Sequence, residues 1–361
     1  MNRLKRITLL VRSLFHAIFY GAANKIPSKI SRIIVVPDGK LGDVVCATPV
    51  FAAIRKHFPS ARIIAAGNTR FLSSLLSDSG LVDEYVDLKG YSADIAMLTG
   101  PSYEAAVKLY LAGVPFITVP LVEGELSPLV TKPYRILTHF LKTYPYRMRE
   151  YAPREKLRCL ESLGIIEEDT TKHLGFSAGA LKKVSRYYDG IFTVGLTPTA
   201  GHKIKEWPEE RFAEVADYLI DKYHAKILVL GGPKDEEKVE KTISLMKNQA
   251  TPVTDLNIDE LKALISKLHL FISVDTGPIY IAEAFNVPTI DITGPIDENE
   301  QPPRGPMHRN VVPSDRKKPE LFVLNAKSYN REEALRQVDS ITVSQVTNEI
   351  DLLITDIKRQ R

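Results

Sequence analysis

An α/β fold made of two consecutive parallel-sheet blocks is what this 361-residue sequence predicts. Three observations carry the prediction. Short β-branched runs alternate with helical patterns from Arg32 to Val119, the alternation resumes from Ile191 to Ile292, and a proline-interrupted stretch lies between. The length suits two domains better than one. With 44% hydrophobic and 25% charged residues, both blocks have the means to bury a core.

In the first block, Arg32 to Val36 is a β-branched run closed by Pro37. A glycine-containing loop follows, then a helical pattern from Asp43 to Phe58 with Val44, Val45, Pro49, Phe51 and Ile54 on its apolar side. Strands are predicted at Ile63 to Ala66, Tyr85 to Leu88, Asp94 to Leu98 and Pro115 to Val119, with helices at Phe71 to Leu76 and 102–112. Residues 120–190 are less regular, broken by Pro120, Pro128, Pro133, Pro145 and Pro153, and hold one good helix, Arg154 to Leu163, stopped by Gly164. In the second block, strands are predicted at Ile191 to Leu196, Lys226 to Leu230, 269–274 and 288–292, and helices at 209–223, 235–247, 258–267 and 278–286. Two such Rossmann-like blocks imply a cleft between them as the default ligand site.

Charge is uneven. The first 37 residues hold Arg3, Lys5, Arg6, Arg12, Lys25, Lys29 and Arg32 and no acid, so with a total of +4 the rest of the chain is slightly acidic. That excludes a general polyanion binder, and no nucleic-acid partner is expected. Residues 1–23 combine an apolar set (Ile7, Leu10, Val11, Leu14, Phe15, Ile18) with a polar stripe (Lys5, Thr8, Arg12, His16) at helical spacing. The apolar stretch is short of the ~20 residues a bilayer span requires and is interrupted by Arg12. It reads as an interfacial helix on an anionic membrane surface, with a helix packed on the protein's own surface as the alternative. No small-residue cleavage site closes it, which argues against a removed signal peptide.

Only Cys46 and Cys159 occur, far apart within apolar patterns, and read as buried reduced thiols of a cytosolic protein. The eight histidines show no metal-ligand spacing, and no metal site or cofactor is expected.

The segment Ser273-Val274-Asp275-Thr276-Gly277-Pro278 joins a buried strand to a helix entered at Pro278. Such a junction offers free backbone N–H groups, a hydroxyl and a carboxylate at one point, a means of holding phosphates and sugar hydroxyls. Two companions are Gly39-Lys40-Leu41-Gly42-Asp43 and Lys205-Glu206-Trp207-Pro208.

Taken in order, five motifs resemble glycosyltransferase family 9, the heptosyltransferases. They are Ile33-Ile34-Val35-Val36 with Leu41-Gly42-Asp43-Val44 and Thr48-Pro49; Thr197-Pro198 through Phe212; Leu230-Gly231-Gly232-Pro233; Asp275-Thr276-Gly277-Pro278; and Gly294-Pro295-Ile296-Asp297. The resemblance runs from about Arg32 to the C-terminal helix and is weakest over 90–150. It implies a GT-B fold of two facing Rossmann-like domains, an inverting mechanism without a catalytic metal, and ADP-heptose as donor. The expected division is a basic amphipathic segment (1–30), an acceptor domain (31–165), a nucleotide-sugar domain (166–335) and a C-terminal helix (336–361). The expected product is an extended bacterial glycolipid, a lipopolysaccharide core or its like, made at the cytoplasmic face of the inner membrane.

Each motif also has a physical reading. Asp43 is the candidate general base for an acceptor hydroxyl, with a plain helix cap as the alternative. Lys205 would offset charge on the leaving diphosphate, with Lys203 its competitor. Thr197 and Thr199 offer hydroxyls, while Thr276 and Gly277 offer a helix N-terminus. Asp275 is either a ligand or a buried cap. Gly232 closes a strand, and Asp235 or Glu236 behind it suits ribose hydroxyls. Residues 131–158 interleave Lys132, Arg135, Lys142, Arg147, Arg149, Arg154, Lys156 and Arg158 with Tyr134, Phe140, Tyr144, Tyr146 and Tyr151. From this stretch Arg135, Arg147, Arg149 and Tyr151, together with Lys40, are the candidates for an anionic acceptor; a solvated linker with packed tyrosines is the alternative. The chain departs from the family at Tyr280 and Tyr151, where members carry His, so tyrosine offers a neutral donor in place of a titratable one. Tyr280 therefore stands among the donor-binding candidates with the identity of the sugar open. A nucleotide-activated hexose as donor, a nucleotide-sugar epimerase or hydrolase on the same fold, and a non-catalytic membrane-bound scaffold are the rival readings.

Overall fold

The computed structural model describes residues 3–37, 39–88, 91–124, 127–325 and 328–360. Met1 and Asn2 of the basic segment and Arg361 of the C-terminal helix lie outside them. The chain forms two compact units that divide between Gly175 and Phe176, and a short return segment that includes 323–325 belongs to the first unit. The division falls ten residues later than the sequence suggested because 166–175 are stitched to the first unit. Glu167 pairs with Lys56 at 2.8 Å, His173 N donates to Thr48 Oγ1, and Gly175 lies so close to the Asp78 carbonyl that a Cβ would be 1.8 Å from it.

The first unit holds a sheet of β1 (Arg32–Val36), β2 (Arg62–Ala66), β3 (Glu84–Val86), β4 (Ile95–Leu98), β5 (Phe116–Glu123) and β6 (Lys142–Arg147). Their order is β3-β2-β1-β4-β5-β6 and every pairing is parallel. The second unit repeats it with β7 (Thr193–Thr197), β8 (Lys226–Leu230), β9 (Thr251–Val253), β10 (Leu270–Val274), β11 (Thr289–Ile292) and β12 (His308–Val311), in the order β12-β11-β10-β7-β8-β9. Each order reverses at one place, between β1 and β4 and between β7 and β10. Open α/β sheets bind ligands outside the strand carboxyl ends at such a reversal.

Burial explains why these runs are strands. Ile33 to Val35 and Ile63 to Ala66 are buried on both faces, as a parallel sheet under crossover helices requires. Prediction failed at β6, where Pro145 sits inside Lys-Thr-Tyr-Pro-Tyr-Arg; β6 is an edge strand, where a missing N–H is tolerated. Tyr144 and Tyr146, two residues apart, both point into the core, and Tyr134 is buried with its hydroxyl on the Pro120 carbonyl. These tyrosines of 131–158 are therefore core residues and not a binding stripe. The pattern read as one helix from Asp43 is two, Leu41–Val45 and Thr48–His57, and the chain ends in two helices, Arg331–Ser340 and Val343–Gln360.

The N-terminal helix Arg3–Tyr20 packs on helices Tyr103–Leu111 and Lys132–Thr138. Tyr103 and Tyr110 donate to the Arg6 and Gly21 carbonyls, and Leu9 and Ala17 join the first unit's core. Its other side is apolar and exposed: Leu4, Ile7, Val11, Leu14, Phe15, Ile18 (75%) and Phe19 (78%). Among the described residues no helix is long and apolar enough to cross a membrane.

Candidate active site

In the second unit the strand order reverses between β7 and β10, and the residues that follow these two strands converge. Beyond β7 the chain passes Thr199 and a 3-10 turn, Lys203–Lys205. That turn is fixed from behind by Trp207, which is buried, donates from Nε1 to the Ile341 carbonyl at 2.9 Å and stacks edge-on against Phe212. So anchored, Lys205 sends Nζ to Asp275 Oδ2 at 2.6 Å and to the Asp275 carbonyl at 3.3 Å. Asp275 is only 5% exposed, and its other carboxylate oxygen accepts from the Tyr280 hydroxyl one helical turn later. A buried carboxylate needs such partners to remain ionised.

Thr276 is the N-cap of helix Gly277–Ala284, and its side chain makes no capping bond. Pro278 carries no N–H and Ile279 N donates to the Thr276 carbonyl, so the Gly277 N–H and the positive end of the helix dipole are what this turn presents near the Lys205 ammonium, without a cap from the Thr276 side chain. The Thr197 hydroxyl at the end of β7 is buried without a protein partner. An ammonium beside the positive end of a helix dipole has the chemistry that suits an anion. Tyr280 differs from the sequence expectation: it is buried and its hydroxyl is committed to Asp275, so it orients that carboxylate instead of presenting itself to a ligand. Asp275 itself proves to be a buried ion-pair residue, the partner of Lys205.

At the end of β8, Asp235 Oδ2 accepts from Gly232 N at 2.8 Å, closing a tight turn, and Glu236 is exposed in the first turn of helix Glu236–Ser244. One oxygen of Asp235 thus serves the backbone, and Glu236 has the more accessible carboxylate of the two.

In the first unit, Asp43 occupies the third position of helix Leu41–Val45, with Lys40 as N-cap. Its Oδ2 accepts from Lys40 N at 2.8 Å, so one oxygen does perform the capping that the sequence allowed as the alternative. The carboxylate folds over Gly39, whose φ is +105° and whose missing Cβ would lie 2.2 Å from Oδ2. Only glycine permits this approach. Asp43 follows β1 at the carboxyl edge, where the first sheet reverses its order.

The basic candidates of the first unit separate. Lys40 follows β1, Arg147 ends β6 and Arg149 follows it, so all three belong to the carboxyl edge of one sheet. Arg135 lies instead on helix Lys132–Thr138, which leads back to the start of β6 and packs beside the N-terminal helix. Tyr151 occupies the N-cap position of helix Ala152–Leu157 and is held by buried Lys172, whose Nζ donates to its hydroxyl at 2.9 Å. Arg154 pairs with Glu168, Arg158 donates to the Pro145 carbonyl, and Lys156 is buried.

The sequence reasoning passed over Asp291. It lies on β11 in register with Ser273, fully buried, and neither of its carboxylate oxygens has a hydrogen-bond partner. The available signal was a lone acid in the apolar run 288–292.

Residues 158–327 match the family model described as Glycosyltransferase family 9 (heptosyltransferase). The chain is similar to lipopolysaccharide heptosyltransferase 3 of Escherichia coli, 25% identical over 278 residues that cover 71% of this chain and 81% of that protein. In fold it resembles the glycosyltransferase family 9 protein of Veillonella parvula, with a TM-score of 0.73 and 20% identity over 93% of this chain and all of that one. It also resembles the ADP-heptose lipopolysaccharide heptosyltransferase II of E. coli, with a TM-score of 0.70 and 16% identity over 91% of this chain and all of that one. The two six-stranded parallel sheets and these neighbours give the chain a GT-B type α/β fold.

Proposed function

This chain belongs to glycosyltransferase family 9, the heptosyltransferases, and we propose that it transfers heptose from ADP-heptose to a lipopolysaccharide-core or related anionic glycolipid with inversion at the anomeric carbon. One observation carries this reading: the Lys205–Asp275 pair stands at the strand-order reversal of the second sheet, beside a helix N-terminus whose N-cap side chain, Thr276, makes no capping bond. A diphosphate leaving group bears charge that must be offset as the glycosidic bond breaks, and an ammonium with aligned N–H dipoles supplies that offset without a metal. Lys205 retains one donor for the phosphate while it holds Asp275, since an ammonium has three and two are used. Thr197, Thr199, Thr276 and Gly277 complete the diphosphate contacts, and Glu236 with Asp235 takes the ribose hydroxyls. Asp43 receives the proton of the acceptor hydroxyl as that oxygen forms the new bond, which is how a single carboxylate supports a one-step inversion.

Lys40, Arg147 and Arg149 suit the phosphates or carboxylates of the acceptor. The exposed apolar face of helix Arg3–Tyr20, with Lys5, Arg6, Arg12 and the neighbouring Arg135, suits the anionic cytoplasmic leaflet of the inner membrane, where such an acceptor lies. Incubating the purified chain with ADP-heptose and a heptose-deficient core glycolipid, followed by mass spectrometry, tests the reading. Addition of one heptose supports it. Transfer only from a nucleotide-activated hexose would move the assignment to that donor.

A further inference from the structure

The two faces of the second unit's sheet differ in chemistry. Val194, Leu196, Ile227, Val229, Leu270, Ile272, Val274, Ile290 and Ile292 all enter the large apolar core. On the opposite face, Thr197 of β7 is in register with Ser273 of β10, Ser273 with Asp291 of β11, and Asp291 with Asn310 of β12. A parallel sheet covered by helices is ordinarily apolar on both faces. Here a polar row crosses four strands just below the Lys205–Asp275 pair, and Asp291 is its one acid, fully buried with no hydrogen bond to either oxygen.

A buried carboxylate without a donor or a tight cation is costly, so the group neutralises instead. Burial is the largest cause that raises the proton affinity of Asp291 well above the ordinary carboxyl range; the charges of Asp275 and Glu283 add to it, and Lys205 opposes them. These are the charged groups that face it: Asp275 beyond β10, Lys205 from the turn after β7, and Glu283 from helix Gly277–Ala284. Were all three acids ionised around one ammonium, two negative charges would stand uncompensated where a diphosphate must bind; with Asp291 neutral the excess falls to one.

We propose that Asp291 is held as an uncharged carboxyl beneath the diphosphate site: buried beside the Lys205–Asp275 pair, it stays neutral and so removes one of the three carboxylate charges that would oppose a bound diphosphate. The inference rests on the diphosphate reading given above. It has a sign that can be checked. A carboxyl whose proton affinity is raised by folding stabilises the native state fully below its unfolded pKa, and that contribution is lost as pH rises through its native pKa. Replacing it with an amide removes the loss.

The test is Asp291→Asn, with the smaller neutral Asp291→Ser in case the amide does not fit. ADP affinity at neutral pH is expected to stay within about threefold of wild type, less than a tenfold step of about 1.4 kcal/mol. The melting temperature of the variant relative to wild type is expected to rise steadily from about pH 4 to about pH 8. Wild-type protein at the upper end of that range should show the infrared carbonyl band of a protonated carboxyl, and the variant should lack it. A variant that loses ADP binding tenfold or more, a melting difference flat with pH, or a wild type without that band overturns the inference. Lys205→Ala distinguishes the two readings: if it leaves ADP binding unchanged, the diphosphate reading fails, whereas the band and the melting series still report the charge state of Asp291.

Discussion

Lys205 Nζ stands 2.6 Å from Asp275 Oδ2 and also reaches the Asp275 carbonyl, so one side chain holds both the carboxylate and the backbone of the residue that leads into helix Gly277–Ala284. The pair links two loops that leave neighbouring strands, and Tyr280 fixes the carboxylate from the opposite side. Lys205 is thereby held in place, so a donor bound as proposed would meet a side chain already ordered, at a lower ordering cost.

Lys205→Ala is expected to weaken ADP binding and lower turnover by at least about a hundredfold, the lower end of what removing one preorganised stabilising group costs. Lys205→Gln should not restore it, because an amide carries no charge. Activity should survive a chelator. Strict dependence on magnesium or manganese, measured after dialysis against the chelator, would count against charge stabilisation by protein groups alone.

For Asp43→Asn we expect a loss of turnover of roughly two to four powers of ten with ADP affinity nearly kept. Gly39→Ala provides an independent check, since a Cβ there would collide with the Asp43 carboxylate. It should lower turnover and destabilise the fold by only about 1–3 kcal/mol, the cost of a strained backbone position. Wild-type turnover in both variants would leave Asp43 as a helix cap and nothing more.

Much of this was readable in the sequence, and the exceptions have physical causes. Helix 209–223 and strand Lys226–Leu230 fall where the pattern placed them, because apolar period and boundary residues agree there. Strand β6 was hidden by Pro145, which is acceptable only because the strand lies at the sheet edge, a tertiary fact. The tyrosines of 131–158 resembled a binding stripe because alternation of basic and aromatic residues is also what an edge strand with one buried face produces. Asp43 and Lys205 stood out through motif order, whereas Asp291 did not, since its meaning depends on registry with Ser273 and on burial. The role of Tyr280 likewise depends on where its hydroxyl ends, on Asp275.

The N-terminal helix packs one side on the protein, as one of the sequence alternatives had it, and leaves an apolar side exposed. Deleting it would uncover Tyr103 and Tyr110, so substitutions on the outer face are the cleaner test. Phe15, Ile18 and Phe19 changed together to Ser should abolish sedimentation with anionic vesicles while leaving the melting temperature unchanged. High salt should release wild-type protein in part, because each basic group near anionic lipid contributes about 1 kcal/mol that screening removes. Equal binding of wild type and variant to the vesicles would show that this face does not dock on lipid.

Heptosyl transfer at the Lys205–Asp275 site, as proposed, stands or falls with a transfer assay that compares wild type with Lys205→Ala. With ADP-heptose and a heptose-deficient core glycolipid, wild type should release ADP and add one heptose of inverted anomeric configuration, seen by mass spectrometry and proton NMR of the product. The Lys205→Ala protein, folded as judged by its melting curve, should do so at least about a hundredfold more slowly. Retained anomeric configuration, or equal rates in the two proteins, would contradict the account.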